Sequence, residues 1–464
     1  MDPAAADRQG AEAIFLEGSR LLAAGDLAGA EARWREALRL RPDFAEAHGN
    51  LGIVLDRRGA AAEAETCHRR SIALDPTRPQ THLNLGVNLA QRKRFDAAEA
   101  AYREALRLDP QCAAAWSNLG VLYACTKREI EAEQCYRRVL ERMPGHANAR
   151  FNLSYLLLRQ GRYEEGWASF EGREWYAPFE KAFACPRWHG EPLAGKSIVV
   201  AFEAGLGDMI QFARYAATLK QMGAAHVAMV CHPPLKTLFA TLQGADEITG
   251  YDEAAATAVP RDFWTPPLSL PRYCGTRLDS IPAALPYVHA EPGRMARWAP
   301  RLPQGDLRVG LVWKGSLSFE NDTYRSLPHL ATLAPLWQVP GVRFVSLQKG
   351  AGEDEAAQPP HGQPLVHLGS EFRDFADTAA VVAQLDLVIS VDTAVAHLAG
   401  ALGKPCWLLL PDYKTDWRWL TGRSDSPWYP EVMRLFRQPA TGRWAPVMAD
   451  VRKALAALAD RGPA

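Results

Sequence analysis

Three short segments combine residue types that handle anions and hydroxyl groups. The first is Glu203-Ala204-Gly205-Leu206-Gly207-Asp208. Its two glycines allow a tight turn and let backbone approach a ligand, with Glu203 at the head of this loop. Asp208 is either an acid favoured by the start of a helix or a general base. The second segment is Trp313-Lys314-Gly315-Ser316, followed by Asn321-Asp322-Thr323-Tyr324-Arg325-Ser326. A Lys and an Arg among hydroxyls suit a diphosphate, and a solvated polar loop is the other reading. The third is Ser390-Val391-Asp392-Thr393-Ala394-Val395-Ala396-His397. Free N–H groups at a helix start, beginning about Thr393 and Ala394, can receive a phosphate. His397 lies four residues after Thr393 and shares its helix face. Asp392 is either the N-cap or a ligand for a sugar hydroxyl, since a carboxylate beside a diphosphate is repelled.

Each segment follows an apolar run and precedes a helical pattern. Lys196–Phe202 reads as a buried strand and Met209–Met222 as a helix; His226–His232 and Pro234–Leu242 repeat the pair. The alternation restarts with strands at Leu307–Trp313, Val342–Leu347, Asp386–Val391 and Pro405–Leu410. Helices are expected at Pro328–Trp337, Asp374–Leu385, Thr393–Leu402 and Pro446–Leu458. Such alternation implies parallel sheets, whose ligands sit beyond the carboxyl ends of the strands. Two Rossmann-like lobes with a cleft between them are therefore expected over 196–303 and 304–460. A Pro- and Gly-rich stretch over 176–195 reads as a linker before them.

The first third repeats. Gly18, Gly52, Gly86 and Gly120 recur every 34 residues, as do Ala30, Ala64, Ala98 and Ala132, and Pro42, Pro76, Pro110 and Pro144. Trp34, His68, Tyr102 and Tyr136 share one register. This pattern resembles the tetratricopeptide repeat, a helix–turn–helix unit. Small residues let two helices approach, the aromatic fills the gap, and Pro follows the second helix. A degenerate fifth unit carries Phe151, Asn152, Leu153, Tyr163, Gly166 and Phe170, so a solenoid is expected over 11–175. Asn50, Asn84, Asn118 and Asn152 hold one position of the first helix of successive units. A ladder of amides can bind an extended peptide backbone, as in the similar repeats of O-linked N-acetylglucosamine transferases; ordinary repeat composition is the alternative.

The 464 residues carry 53 basic and 53 acidic side chains, so nothing points to a nucleic-acid protein driven by phosphate neutralisation. No apolar run of about 18 residues marks a transmembrane helix, and no signal-like segment opens the chain. Eight scattered cysteines without a C-x-x-C pair fit free thiols in a reducing cytoplasm.

Gly205-Leu206-Gly207-Asp208, Gly310-Leu311-Val312-Trp313, Ser346-Leu347-Gln348-Lys349-Gly350 and the run from Asp386 to Gly400 together resemble the heptosyltransferase-like glycosyltransferases of family 9. More closely, the chain resembles those in which tetratricopeptide repeats precede such a domain. The resemblance implies an α plus α/β protein, a repeat solenoid followed by a two-lobed GT-B fold. It implies inverting transfer from a nucleotide-diphosphate sugar as substrate, with no cofactor and no metal. Residue by residue, Asp208 matches the catalytic base, and Lys314, Asp392, Thr393, Ala394 and His397 match the donor-phosphate region. Ser316, Arg325, Ser326, Gln348 and Lys349 fall near the nucleotide, and Glu203, Gly205 and Gly207 in the acceptor and phosphate loop. The absence of any Asp-x-Asp triplet fits a site without metal. The expected acceptor is a polypeptide held by the repeats; a glycan acceptor and a scaffold with a silent transferase domain are the alternatives. Trp417, Trp419, Trp428 and Tyr429 either stack on a sugar or base or pack between the lobes.

Overall fold

The computed structural model describes residues 3–173, 175–253, 260–305 and 307–461. The chain divides into two compact units, Met1–Leu153 and Ser154–Ala464. In the first, helices run in pairs: α1 (Pro3–Ala23) with α2 (Leu27–Leu40), α3 (Ala45–Arg57) with α4 (Ala61–Leu74), α5 (Pro79–Gln91) with α6 (Phe95–Leu108), and α7 (Ala113–Cys125) with α8 (Glu129–Arg142). The repeat glycine of each first helix faces the repeat aromatic of its partner. A Cβ on Gly18, Gly52, Gly86 or Gly120 would lie 2.6, 2.5, 2.5 or 2.6 Å from Trp34, His68, Tyr102 or Tyr136. Those four rings are buried. Glycine is thus required by close approach of the helices, as the period predicts.

The repeat prolines have a second use. The ring N–H or nitrogen of His48, His82 and Trp116 lies 3.0 Å from the carbonyl oxygen of Pro42, Pro76 and Pro110 respectively. Ion pairs Arg35–Glu31, Arg69–Glu65, Arg103–Glu99 and Arg137–Glu133 repeat at the same interval on the helix surfaces. Exposed pairs of this kind contribute only about 0–1 kcal/mol each, so the ring-on-glycine contacts dominate.

The expected fifth repeat supplies α9 (Ala147–Arg159) and α10 (Tyr163–Phe170), yet the division between units falls at Leu153, not at 175. The reason is the burial of α10. Trp167 donates its indole N–H to the Thr276 carbonyl at 3.1 Å, and its ring packs edge-on to Trp417 and Trp428. Residues 176–195, expected as a linker, cover a sheet: Tyr176, Phe179, Phe183 and Cys185 pack on Val199, Ala228 and Trp264.

The second unit holds two all-parallel sheets. One comprises β1 (Ser197–Val200), β2 (His226–Cys231), β3 (Glu247–Gly250) and β4 (Phe263–Thr265) in the order β3-β2-β1-β4. The other comprises β5 (Leu307–Val312), β6 (Val342–Ser346), β7 (Val366–His367), β8 (Leu387–Val391), β9 (Cys406–Leu410) and β10 (Met433–Arg437), ordered β10-β9-β8-β5-β6-β7. The fold class expected from the sequence, α plus α/β, is what the structure shows. Both orders reverse beside their first strand, β1 or β5, which opens a crevice beyond that strand's carboxyl end.

The helices differ in detail from expectation. Met209–Met222 is two helices, α11 (Leu206–Ala213) and α12 (Tyr215–Gln221), separated at Arg214. The buried Arg214 guanidinium donates to the Gln211, Pro282 and Trp428 carbonyls, which anchors that break. Leu330–Gln338 is a 3₁₀ helix because Pro335 lies inside it and lacks the N–H an α-helix needs.

Candidate functional site

Two of the three segments converge. The β1 loop passes through Ala204, which takes a left-handed φ of 59°. Such a conformation costs a non-glycine residue roughly 1–3 kcal/mol and persists only where the surroundings hold it. Here His232 Nε2 lies 3.0 Å from the Ala204 carbonyl oxygen. Gly205 then caps α11, and its N–H donates to Asp208 Oδ2 at 2.9 Å. Gly207 packs directly on the Ala394–Ala401 helix that follows β8. A Cβ there would lie 2.9 Å from His397 Cδ2 and 3.4 Å from the Ala394 Cα. The starts of two helices, one from each sheet, therefore meet with Asp208 beside the contact.

Asp208 is not a free carboxylate. Its Oδ1 accepts from Arg418 Nη2. Arg418 also donates through Nε to Gln211 Oε1 and through Nη1 to Asp416 Oδ1 at 2.9 Å. Neither Arg418, Asp416 nor Gln211 was singled out from sequence. The partner lies 210 positions away from Asp208, and the only local signal was an acid and a base set among the tryptophans of Asp416-Trp417-Arg418-Trp419. Trp417, Trp419, Trp428 and Tyr429 are all buried in the second unit.

On the second lobe, Thr393 rather than Asp392 is the N-cap, and its side chain makes no capping bond; Thr393 Oγ1 lies 3.0 Å from Ser390 Oγ. Asp392 Oδ2 accepts from the Trp419 indole at 2.8 Å. Burial, reinforced by the like charge of Asp416, pushes the Asp392 carboxyl up to about 6. His397 is buried between Trp419, whose ring stacks on it at 5.4 Å, and the Tyr429 hydroxyl, 2.9 Å from Nδ1. Burial, with the Arg418 and Arg214 charges, lowers its pKa well below the usual range, so the imidazole is neutral at pH 7.

The β5 segment lies across the crevice from β8. Gln348 is buried and accepts from the N–H groups of Trp313 and Lys314, both at 3.0 Å, and so fixes the backbone after β5 rather than facing a ligand. Lys314 Nζ donates to the Pro328 carbonyl at 2.6 Å. Ser326 accepts from Gly315 N at 2.8 Å and donates to Asp322, which also takes Arg325 Nη2 at 2.9 Å. Ser316 pairs with Ser318. Lys349 lies at the end of β6, 3.5 Å from the Ser370 carbonyl. Glu203 lies apart from the site: it is buried and ion-paired with Arg173 at 2.7 Å, with the Leu268 N–H as a further donor. In the first unit Asn50, Asn84, Asn118 and Asn152 are half-buried on α3, α5, α7 and α9, and Asn84 accepts from Gln80 at 2.9 Å. Among the described residues, no group of three His, Cys, Asp or Glu side chains could hold a metal ion, and no helix is long and apolar enough to cross a membrane.

This architecture is a helical repeat joined to an α/β unit with paired crevices. Comparison with known proteins agrees at both ends. The glycosyltransferase family 9 (heptosyltransferase) model matches residues 331–408. A middle TPR-like domain model of cilia and flagella-associated protein 70 matches residues 19–133, and a tetratricopeptide repeat model matches 131–172. The chain is 30% identical over 335 residues to Protein FlbA of Caulobacter vibrioides, covering 66% of this chain and 54% of that one. It thus spans about half the length of that curated relative. Among solved structures, MamA is 21% identical with a TM-score of 0.32, covering 36% of this chain and 97% of that one. Pseudomonas aeruginosa pilF is 24% identical with a TM-score of 0.34, covering 36% and 78%. The chain joins tetratricopeptide repeats to a segment that matches the glycosyltransferase family 9 (heptosyltransferase) model, which supports a glycosyltransferase.

Proposed function

We propose that this chain is an inverting, metal-independent glycosyltransferase of the GT-B arrangement, acting in the cytoplasm on a polypeptide held by its repeats. The observation that carries this reading is the meeting of Gly207 with His397 and Ala394, which sets Asp208 beside a phosphate-suited helix start. A nucleotide-diphosphate sugar would lie across the crevice between β5 and β8. The N–H groups of Ala394 and Val395 at the helix start, with Lys314 and Arg325, would stabilise the leaving diphosphate, the work other transferases give to a metal ion. Asp208 would take the proton of the acceptor nucleophile as its oxygen bonds the anomeric carbon. The bond to the diphosphate breaks, and its electron pair leaves with the diphosphate. Asp392, still largely a carboxylate at pH 7, would accept from a hydroxyl of the donor sugar and repel a phosphate. The half-buried amides of Asn50, Asn84, Asn118 and Asn152 would bind the acceptor backbone.

A general base contributes roughly 10²- to 10⁴-fold. Asp208→Asn should therefore abolish transfer to a captured peptide while nucleotide binding stays intact. Retained turnover in that variant would remove Asp208 from the mechanism. Loss of nucleotide binding by the wild-type chain would turn the reading toward a scaffold.

A further inference from the structure

Arg418 joins the two lobes through one guanidinium. Its planar fork reaches three acceptors at once: Asp208 and Gln211, one turn apart on α11, and Asp416 on its own segment. Its side chain is buried and lies over the Trp417 ring at 4.6 Å. The next residue, Trp419, holds Asp392 through its indole N–H and stacks on His397. One dipeptide thus grips the Asp208 carboxylate of the first lobe and the Asp392–His397 segment of the second. The backbone around it is constrained: Lys414 and Leu420 take left-handed φ values of 51° and 52°. Non-glycine residues in that region persist where surrounding contacts hold them, and such sites cluster where geometry matters.

We infer that Arg418 is the positioning residue for Asp208. This deepens the proposed transferase reading and rests on it. Gly205 N–H holds Oδ2 and Arg418 holds Oδ1, so the carboxylate plane is fixed and only one set of lone-pair directions remains for an incoming proton. Lys cannot reproduce this, because an ammonium is a point charge without the fork. The fork also crosses between lobes, so the base is correctly aimed only when the lobes are closed on each other.

The test uses the full chain with UDP-glucose, UDP-N-acetylglucosamine, GDP-mannose and ADP-glucose as donors and water as the nucleophile. Nucleoside diphosphate release is measured. Arg418→Gln should lower kcat about 10²-fold, the scale of a misplaced catalytic group, with donor KM within about threefold. Arg418→Lys should fall between. Added guanidinium should restore roughly tenfold to Arg418→Ala, which a merely misfolded protein would not show. The double variant Asp208→Asn with Arg418→Gln should be no slower than Asp208→Asn alone, because the two act as a unit. Arg418→Gln at the wild-type rate, or with its loss confined to KM, overturns the inference while Asp208→Asn remains inactive. If wild type and Asp208→Asn release nucleotide equally, or neither does, the transferase reading itself fails and takes this inference with it.

Discussion

The two units of this chain use glycine against a ring in the same way and to different ends. In the repeats, Gly18, Gly52, Gly86 and Gly120 each meet one ring, four times over. In the α/β unit Gly400 meets the Tyr429 ring, and Gly207 meets His397 at the contact of two sheets' helix starts. The repeated contact holds a helix pair, and its loss at one repeat is shared with neighbours. The Gly207 contact sets the start of α11 against the Ala394–Ala401 helix. The same local sterics therefore hold a helix pair in one unit and, in the proposed function, place Asp208 in the other.

Four variants sharpen that comparison, from the largest effect down. Gly207→Val should force α11 away from His397 and cost turnover roughly 10²-fold or more, since misplacement of about 1 Å has that scale. Initial rates against nucleotide binding separate this from unfolding. Gly86→Val drives a Cβ into the Tyr102 ring and should destabilise the first unit by about 1–3 kcal/mol, read in urea unfolding, with turnover per folded molecule unchanged. Equal behaviour of the two variants would erase the distinction. Asp392 supplies a smaller effect. Its carboxyl is pushed up to about 6, so it loses its negative charge as pH falls through that value. UDP affinity measured by calorimetry should rise several-fold between pH 7.5 and 5.5, about one kcal/mol or less in ΔG. Asp392→Asn should flatten that dependence. Smallest in stability are Asn84→Ala and Asn118→Ala together, within about 0.5 kcal/mol by thermal unfolding. Their effect should appear instead as weakened capture of an extended peptide, and unchanged capture would return these amides to ordinary repeat composition.

Legibility followed the same divide. The repeat was plain in sequence because its contacts recur at a fixed interval of 34 residues. Six strands were legible as apolar runs; Glu247–Gly250, Phe263–Thr265 and Val366–His367 are too brief to show a period, and Met433–Arg437 is interrupted by two arginines. The strand-to-helix turns that place Asp208, Thr393 and His397 were legible because they are local. Arg418 was not, because its partners lie 207 and 210 positions away on α11. Glu203 misled for a related reason: it opens the glycine turn, yet its partner Arg173 sits 30 residues earlier and draws it into the interior. Gln348 likewise reads as a ligand group by type, and only the fold shows its oxygen spent on the Trp313 and Lys314 N–H groups.

The central claim is that the two facing helix starts form a nucleotide-diphosphate site that works without metal. Thermal unfolding of the full chain with UDP, GDP, ADP, CMP and TDP, in EDTA and again in Mg²⁺, tests it most directly. A ligand at about 100 times its dissociation constant stabilises the native state by about 2.7 kcal/mol, a shift of several degrees at most and readily seen. The account predicts that one diphosphate raises the midpoint equally in both conditions. A shift that appears only with Mg²⁺, or none from any nucleotide, would contradict it.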